Sequence, residues 1–80
     1  MVWMIKKLRE TDDKIIVGYN EGSDEVFDGI ISYDKVTREN EIILLSAGDC
    51  EAGAKWCGQH ARSKITDGLL GDEPLMIAIG

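Results

Sequence analysis

Residues 46–71 are the only part of the chain with sustained helical periodicity and with recognisable helix ends. Asp49 is a favourable N-cap, and Gly68 suits the left-handed residue that ends many helices. At 100° per residue, one narrow stripe of this helix carries small and apolar side chains, namely Cys50, Ala54, Cys57, Ala61 and Ile65. The pattern predicts one amphipathic helix that buries a small-residue face.

Short β-rich segments separated by turn residues precede the helix, and one more follows it. The predicted strands cover residues 2–9, 14–20, 26–33, 42–46 and 75–79. Short connections among the first four favour an antiparallel meander. We therefore predict an α+β fold in the order β-β-β-β-α-β, an antiparallel sheet of four to five strands packed on one long helix. The place of the last strand in the sheet stays open.

Length and charge limit the class of protein. The 80 residues predict a single domain over residues 1–80, and 44% hydrophobic with 30% charged residues is typical of a folded globular chain. A chain this short buries only about 60–65% of the surface that its unfolded form exposes, so a partner surface would add stability. The formal net charge of −6 disfavours nucleic-acid binding, because phosphates are repelled by an acidic surface.

The N-terminus lacks the features of a secretory signal, and no apolar run approaches the ~20 residues that span a bilayer. Two cysteines in such a chain suggest reduced thiols. Their spacing of seven helical residues corresponds to a rise of ~10.5 Å, which is beyond the reach of a disulfide. We therefore expect a cytoplasmic protein that contacts no membrane.

Cys50 is the best candidate for a reactive side chain, because unpaired N–H groups in the first turn of a helix stabilise a thiolate. Its natural base would be His60, the only histidine, yet ten helical residues separate the two by ~15 Å. A cysteine on a small-residue stripe usually packs as a small apolar residue. We expect Cys50 and Cys57 to be reduced and buried. A cysteine-dependent enzyme or redox sensor built on Cys50 is kept as an alternative.

Other polar patterns lack the ligand number or spacing of a metal or cofactor site. Cys57 and His60 would supply two of the four ligands of a structural zinc site. The acidic loop 20–25, followed by Asp28, does not match the spacing of an EF-hand and is interpreted as a solvated loop. No glycine-rich phosphate motif occurs. We therefore predict no catalytic residue, no cofactor and no metal, and we do not expect an enzyme.

Apolar residues on both sides of the predicted strands favour a non-enzymatic interaction module, because a single helix covers only one side of a sheet. The side predicted to face the helix contains Ile15, Val17, Phe27 and Ile31. The interface predicted on the opposite side consists of Trp3, Ile5, Ile16 and Ile30. A contiguous apolar patch of this kind marks a contact surface.

The expected partner is a second copy in a homodimer, or another protein. Closed two-fold dimers are the commonest soluble assembly, which favours the second copy. One alternative is a sheet that shelters its own outer side. The other is an acidic inhibitor of a basic-surfaced protein, which is motivated only by the charge of −6.

Overall fold

One antiparallel sheet and one helix make up the part of the chain that the computed structural model describes, residues 2–22 and 26–78. The elements are β1 (Val2–Glu10), β2 (Lys14–Glu21), β3 (Gly29–Asp34), β4 (Asn40–Leu44), α1 (Glu51–Thr66) and β5 (Leu75–Ala78). The sheet has the order β4-β3-β2-β1-β5 and packs against α1. The predicted α+β class and element order are therefore confirmed. Ile79, the predicted end of the last strand, lies outside the described residues.

The strands β1 to β4 are neighbours in chain order, as the short connections predicted. Asp34 closes the turn between β3 and β4, because its Oδ1 accepts hydrogen bonds from the backbone N–H groups of Val36 (2.8 Å) and Thr37 (3.0 Å). After β4, the chain passes through α1 and returns to pair β5 antiparallel with β1. The first and last described strands are thus adjacent in the sheet.

Helix α1 begins one residue later than predicted, because Cys50 rather than Asp49 is the N-cap. The Sγ of Cys50 accepts a hydrogen bond from the backbone N–H of Gly53 at 3.5 Å. Asp49 instead links β1 to the helix start, since its Oδ2 accepts a hydrogen bond from Nε1 of Trp3 at 3.2 Å. At the other end, Gly68 has a φ of 73°, which confirms the predicted left-handed residue.

The core lies between α1 and one side of the sheet. Ala54, Cys57 and Ala61 of the helix are at most 1% exposed, so most of the predicted stripe is buried. Their small side chains leave room for the helix backbone, which comes close to β4. The strand residues of this core are Trp3, Ile5, Ile15, Val17, Tyr19, Ile31, Tyr33 and Ile77.

Trp3 and Ile5 belong to this core, so their predicted position on the opposite side of the sheet is wrong. Trp3 is 1% exposed and Ile5 is 0% exposed. Four consecutive apolar residues, 2–5, gave no alternation from which to assign the two sides of β1. The pairing of β1 with β2 shows which side of β1 faces the core. Ile5 lies opposite Tyr19, a core residue, and directly paired residues point to the same side of a sheet.

Phe27 lies on the side of the sheet away from α1, which we call the outer side, so its predicted position facing the helix is also wrong. Gly18 points to the outer side, because its neighbours Val17 and Tyr19 both face the core. A Cβ atom built on Gly18 would lie 2.9 Å from the Cβ of Phe27. The segment 26–28, predicted as strand, therefore shelters the middle of the outer side.

Candidate functional site

The outer side of the sheet is the surface that α1 leaves uncovered. Because directly paired residues point to the same side, the register assigns its rows of side chains. One row crosses the sheet as Leu44, Ile30, Gly18 and Lys6. The adjacent row is Glu41, Ser32, Ile16 and Arg9. The predicted interface residues Ile16 and Ile30 are therefore on this side, and both are partly buried.

Five apolar side chains form a strip across this surface, which we call the outer patch: Leu8, Ile16, Phe27, Ile30 and Leu44. Its most accessible side chains are Leu8, which is 47% exposed, and Leu44, which is 52% exposed. The middle is partly buried, since Leu8 and Phe27 both lie over Gly18. The patch thus spans four strands, from β1 to β4.

The sequence pattern does not assign Leu8 and Leu44 to this surface individually. Leu8 lies at an irregularity between Lys7 and Arg9, which adds a residue to β1 and shifts the alternation. Leu44 belongs to the apolar run 42–45, in which neighbouring residues on both sides of the strand are apolar. The register with Ile30 is what places Leu44 on the outer side.

Charged groups of opposite sign lie at the two ends of the outer patch. Arg9 on β1 and Glu41 on β4 end the same row, and both are exposed. Neither forms an ion pair with another residue in the described part of the chain. Lys6 adds a second positive charge at the β1 end, with its Nζ 5.8 Å from the ring centroid of Phe27. The patch is therefore basic on β1 and acidic on β4.

Asp28 connects the segment before β3 to the segment after β4. Its Oδ1 accepts hydrogen bonds from Oγ of Ser46 (2.6 Å) and from Nδ2 of Asn20 (3.3 Å), and its Oδ2 accepts one from the backbone N–H of Ala47 (3.1 Å). These bonds, above all the one from Ser46, hold the pKa of Asp28 below its ordinary value. Because Asp28 follows Phe27, this junction fixes the chain that covers the outer side.

Ser46 lacks the surroundings of a catalytic serine. Its side chain is 2% exposed, and its Oγ accepts a hydrogen bond from the backbone N–H of Glu21 (3.1 Å) while it donates to Asp28. Its own N–H donates to the hydroxyl of Tyr19 at 2.9 Å. His60 is engaged elsewhere, stacked on Trp56 with 6.4 Å between ring centroids. Ser46 therefore holds Asp28 and Tyr19 in place.

The two cysteines differ in environment. Cys57 is buried as predicted, and burial raises the pKa of its thiol to about 12. Cys50 is exposed, so its predicted burial is wrong. The reason is its position as N-cap, because an N-cap residue precedes the first helical turn and turns its side chain along the helix end. In the described part of the chain, the Sγ of Cys50 has one hydrogen-bond partner, the N–H of Gly53.

A groove of about 540 Å³ separates β4 from α1. Asn40 bridges it, with Nδ2 donating to the carbonyl oxygen of Gly58 at 2.7 Å. Lys55 and Arg62 of the helix line the groove together with Glu51 of the same helix, so charges of both signs are present there. Within residues 2–22 and 26–78, no group of three histidine, cysteine or acidic side chains is placed to hold a metal ion. The groove therefore has no convergent reactive set.

Comparison with known proteins identifies no relative. No protein-family model matches this chain, and neither a curated protein nor a solved structure matches it. In the described ranges, no helix has the length and apolar character needed to cross a membrane. The outer patch and its charges are therefore the features of this chain that bear on its function.

Proposed function

We propose that this chain is a non-enzymatic interaction module that contacts another protein surface through the outer patch. The observation that carries this proposal is the continuity of the patch across four strands, in which Leu8 and Leu44 are about half exposed. Soluble monomers seldom expose contiguous apolar surface beyond a few hundred Å². Contact with a partner would remove these side chains from water.

A partner on the outer patch would also stabilise the fold. Burial of apolar surface contributes roughly 25 cal/mol per Å², and a chain of this length has little core of its own from which to gain stability. The hydrogen bonds of Asp28 hold the segment beside Phe27, so the patch is formed before a partner arrives. A preformed surface loses less conformational entropy on binding.

The other predicted functions have weaker support. Cys50 is accessible, but its surroundings in the described chain supply no acid–base partner that would activate it. The acidic inhibitor rests on net charge alone. A cytoplasmic location is part of the proposal, supported by two free cysteines, which fit a reducing compartment.

Site-specific photo-crosslinking in the cells that naturally produce the protein tests this function. A photoreactive amino acid replaces Leu44 or Leu8, and the matched control carries it at Leu69, which is 58% exposed and follows α1. We expect a covalent adduct of discrete mass from positions 44 and 8 and none from position 69. Adducts from no position, or equally from all three, would show that the outer patch is not a contact surface.

A further inference from the structure

We infer that the occupant of the outer patch is a second copy of this chain, packed face to face about a two-fold axis parallel to the strands. This inference rests on the proposed function, because it names the partner of the same surface. It is carried by the placement of opposite charges at the two ends of one side-chain row. That placement makes the surface complementary to itself.

The symmetry operation pairs these charges directly. A two-fold axis that runs parallel to the strands, between β2 and β3, exchanges the ends of each row while bringing the two outer sides together. Glu41 of one copy then faces Arg9 of the other, and the pair occurs twice. In the adjacent row, Ile30 of one copy faces the apolar cover of Gly18, formed by Leu8 and Phe27, on the other. At the ends of that row, Leu44 of one copy faces Lys6 of the other. The rim therefore combines the two Arg9–Glu41 pairs with these contacts, and apolar groups meet at the centre.

Other two-fold arrangements place like charges together. If the axis lay across the strands instead, β1 of one copy would lie over β1 of the other. Lys6 and Arg9 would then approach their own copies, and like charges in juxtaposition disfavour a contact. The arrangement with the axis along the strands avoids this repulsion.

Edge-to-edge pairing of two β4 strands is disfavoured by the shape of that strand. β4 is only five residues long. Its pairing with β3 is irregular, because the neighbours Ile30 and Ile31 pair with Leu44 and Ile42, which are two residues apart. Short edge strands and bulges are features that oppose pairing with a further strand. Face-to-face packing of sheets, with strand directions within about 30° of each other, needs no free edge.

The rim pairs are expected to set specificity, while the apolar centre supplies most of the affinity. Arg9 and Glu41 have no competing ion pair in the described part of the chain, so both are available to a partner. Exchange of one charge replaces two attractive contacts by two repulsive ones. We expect this exchange to weaken association by about tenfold or more, because both symmetry-related contacts change sign together.

Sedimentation equilibrium over a concentration series tests the inference with charge-exchange variants. We expect the wild-type protein to reach twice the chain mass of 8.8 kDa, and Glu41→Arg and Arg9→Glu each to dissociate at concentrations where the wild type is paired. An equimolar mixture of the two variants should recover the pairing, because each carries the charge that the other lacks. Leu69→Glu, just after the C-terminal end of α1, should pair as the wild type does, and circular dichroism checks that all variants are folded.

A wild-type mass of 8.8 kDa at every concentration would overturn the second copy as partner, and so would a mixture that pairs no better than its components. The adducts from Leu44 separate this failure from that of the proposed function. An adduct of the mass of another protein would leave the interaction module standing and exclude the self-complementary pair. An absence of adducts together with a monomer would overturn both.

Discussion

The contact between Gly29 and the ring of Tyr19 fixes the start of β3. A Cβ atom at position 29 would overlap that ring, at 2.6 Å from its Cδ1. Tyr19 cannot move aside easily, because it is 0% exposed and its hydroxyl accepts the hydrogen bond from Ser46. We expect Gly29→Ala to lower the free energy of unfolding by about 1–3 kcal/mol, measured by urea denaturation.

Gly71→Ala is the matched control for this substitution, because no atom lies within 4 Å of the Cβ position at Gly71. Its effect should stay within about 0.5 kcal/mol. Equal stability of Gly29→Ala and the wild type would mean that Tyr19 has another rotamer available. It would also mean that the hydrogen bond to Ser46 contributes little.

The unequal burial of the two cysteines predicts unequal reactivity. A disulfide reagent such as Ellman's reagent should modify one thiol of the native protein quickly at pH 8, and mass mapping should identify Cys50. Cys57 should react only after unfolding, since its side chain is buried and its pKa of about 12 leaves almost no thiolate at that pH. Rapid release of two equivalents from the native protein would contradict the packing of Cys57. Cys50→Ser should abolish the fast phase and keep the N-cap, because a hydroxyl oxygen is a good cap acceptor.

The hydrogen bonds of Asp28 join the segment before β3 to the segment between β4 and α1, and they predict a specific response of stability to acid. The pKa of Asp28 is lower in the folded protein than its ordinary value of 3.8. Such a carboxylate stabilises the fold at pH values above 3.8, and the contribution is lost as the pH falls through the lowered folded-state pKa. Asp28→Asn should therefore have a lower urea midpoint than the wild type at pH 7. The gap between the two midpoints should narrow as the pH is taken below 3.8.

The wild type must be compared with Asp28→Asn, because the lowered pKa values of Glu10 and Asp34 also make the fold less stable in acid. Hydrogen bonds from Lys35 lower the pKa of Glu10, and those from the N–H groups of Thr37 and Val36 lower that of Asp34. Asp12→Asn serves as the control, since Asp12 is exposed and makes no side-chain hydrogen bond within the described residues. A gap that stays constant from pH 7 into acid would show that the Asp28 carboxylate does not stabilise the junction.

For the chain as a whole, the pairing of β5 with β1 joins the last described strand to the first. Ile77 is 3% exposed and lies opposite Trp3 in the core, whereas its neighbour Met76 is 53% exposed. Ile77→Ala should cost about 2–5 kcal/mol, a large share of the about 4–12 kcal/mol expected for a domain of this length. Met76→Ala on the same strand should cost much less, as measured by thermal denaturation. Similar losses for both variants would mean that β5 does not dock onto the core as a strand.

The sequence identified those parts of the fold that depend on neighbouring residues. The helix and its left-handed terminus at Gly68 follow from periodicity and cap chemistry, which act within a few residues. The order of β1 to β4 follows from short connections that leave little choice of partner. The burial of Ala54, Cys57 and Ala61 likewise follows from their common face on α1.

Features that depend on distant pairing were accessible only from the folded chain. Where successive residues are all apolar, as around Trp3 and Ile5, the alternation of apolar and polar residues cannot indicate which side of the strand is buried. The choice is then made by partners far along the chain, such as Tyr19 opposite Ile5. The outer patch arises in the same way, since contacts across strands bring Leu8 and Phe27 together over Gly18. A one-residue shift in pairing turns every side chain of a strand to the other side, so the surface of this protein is set by register, which local sequence does not encode.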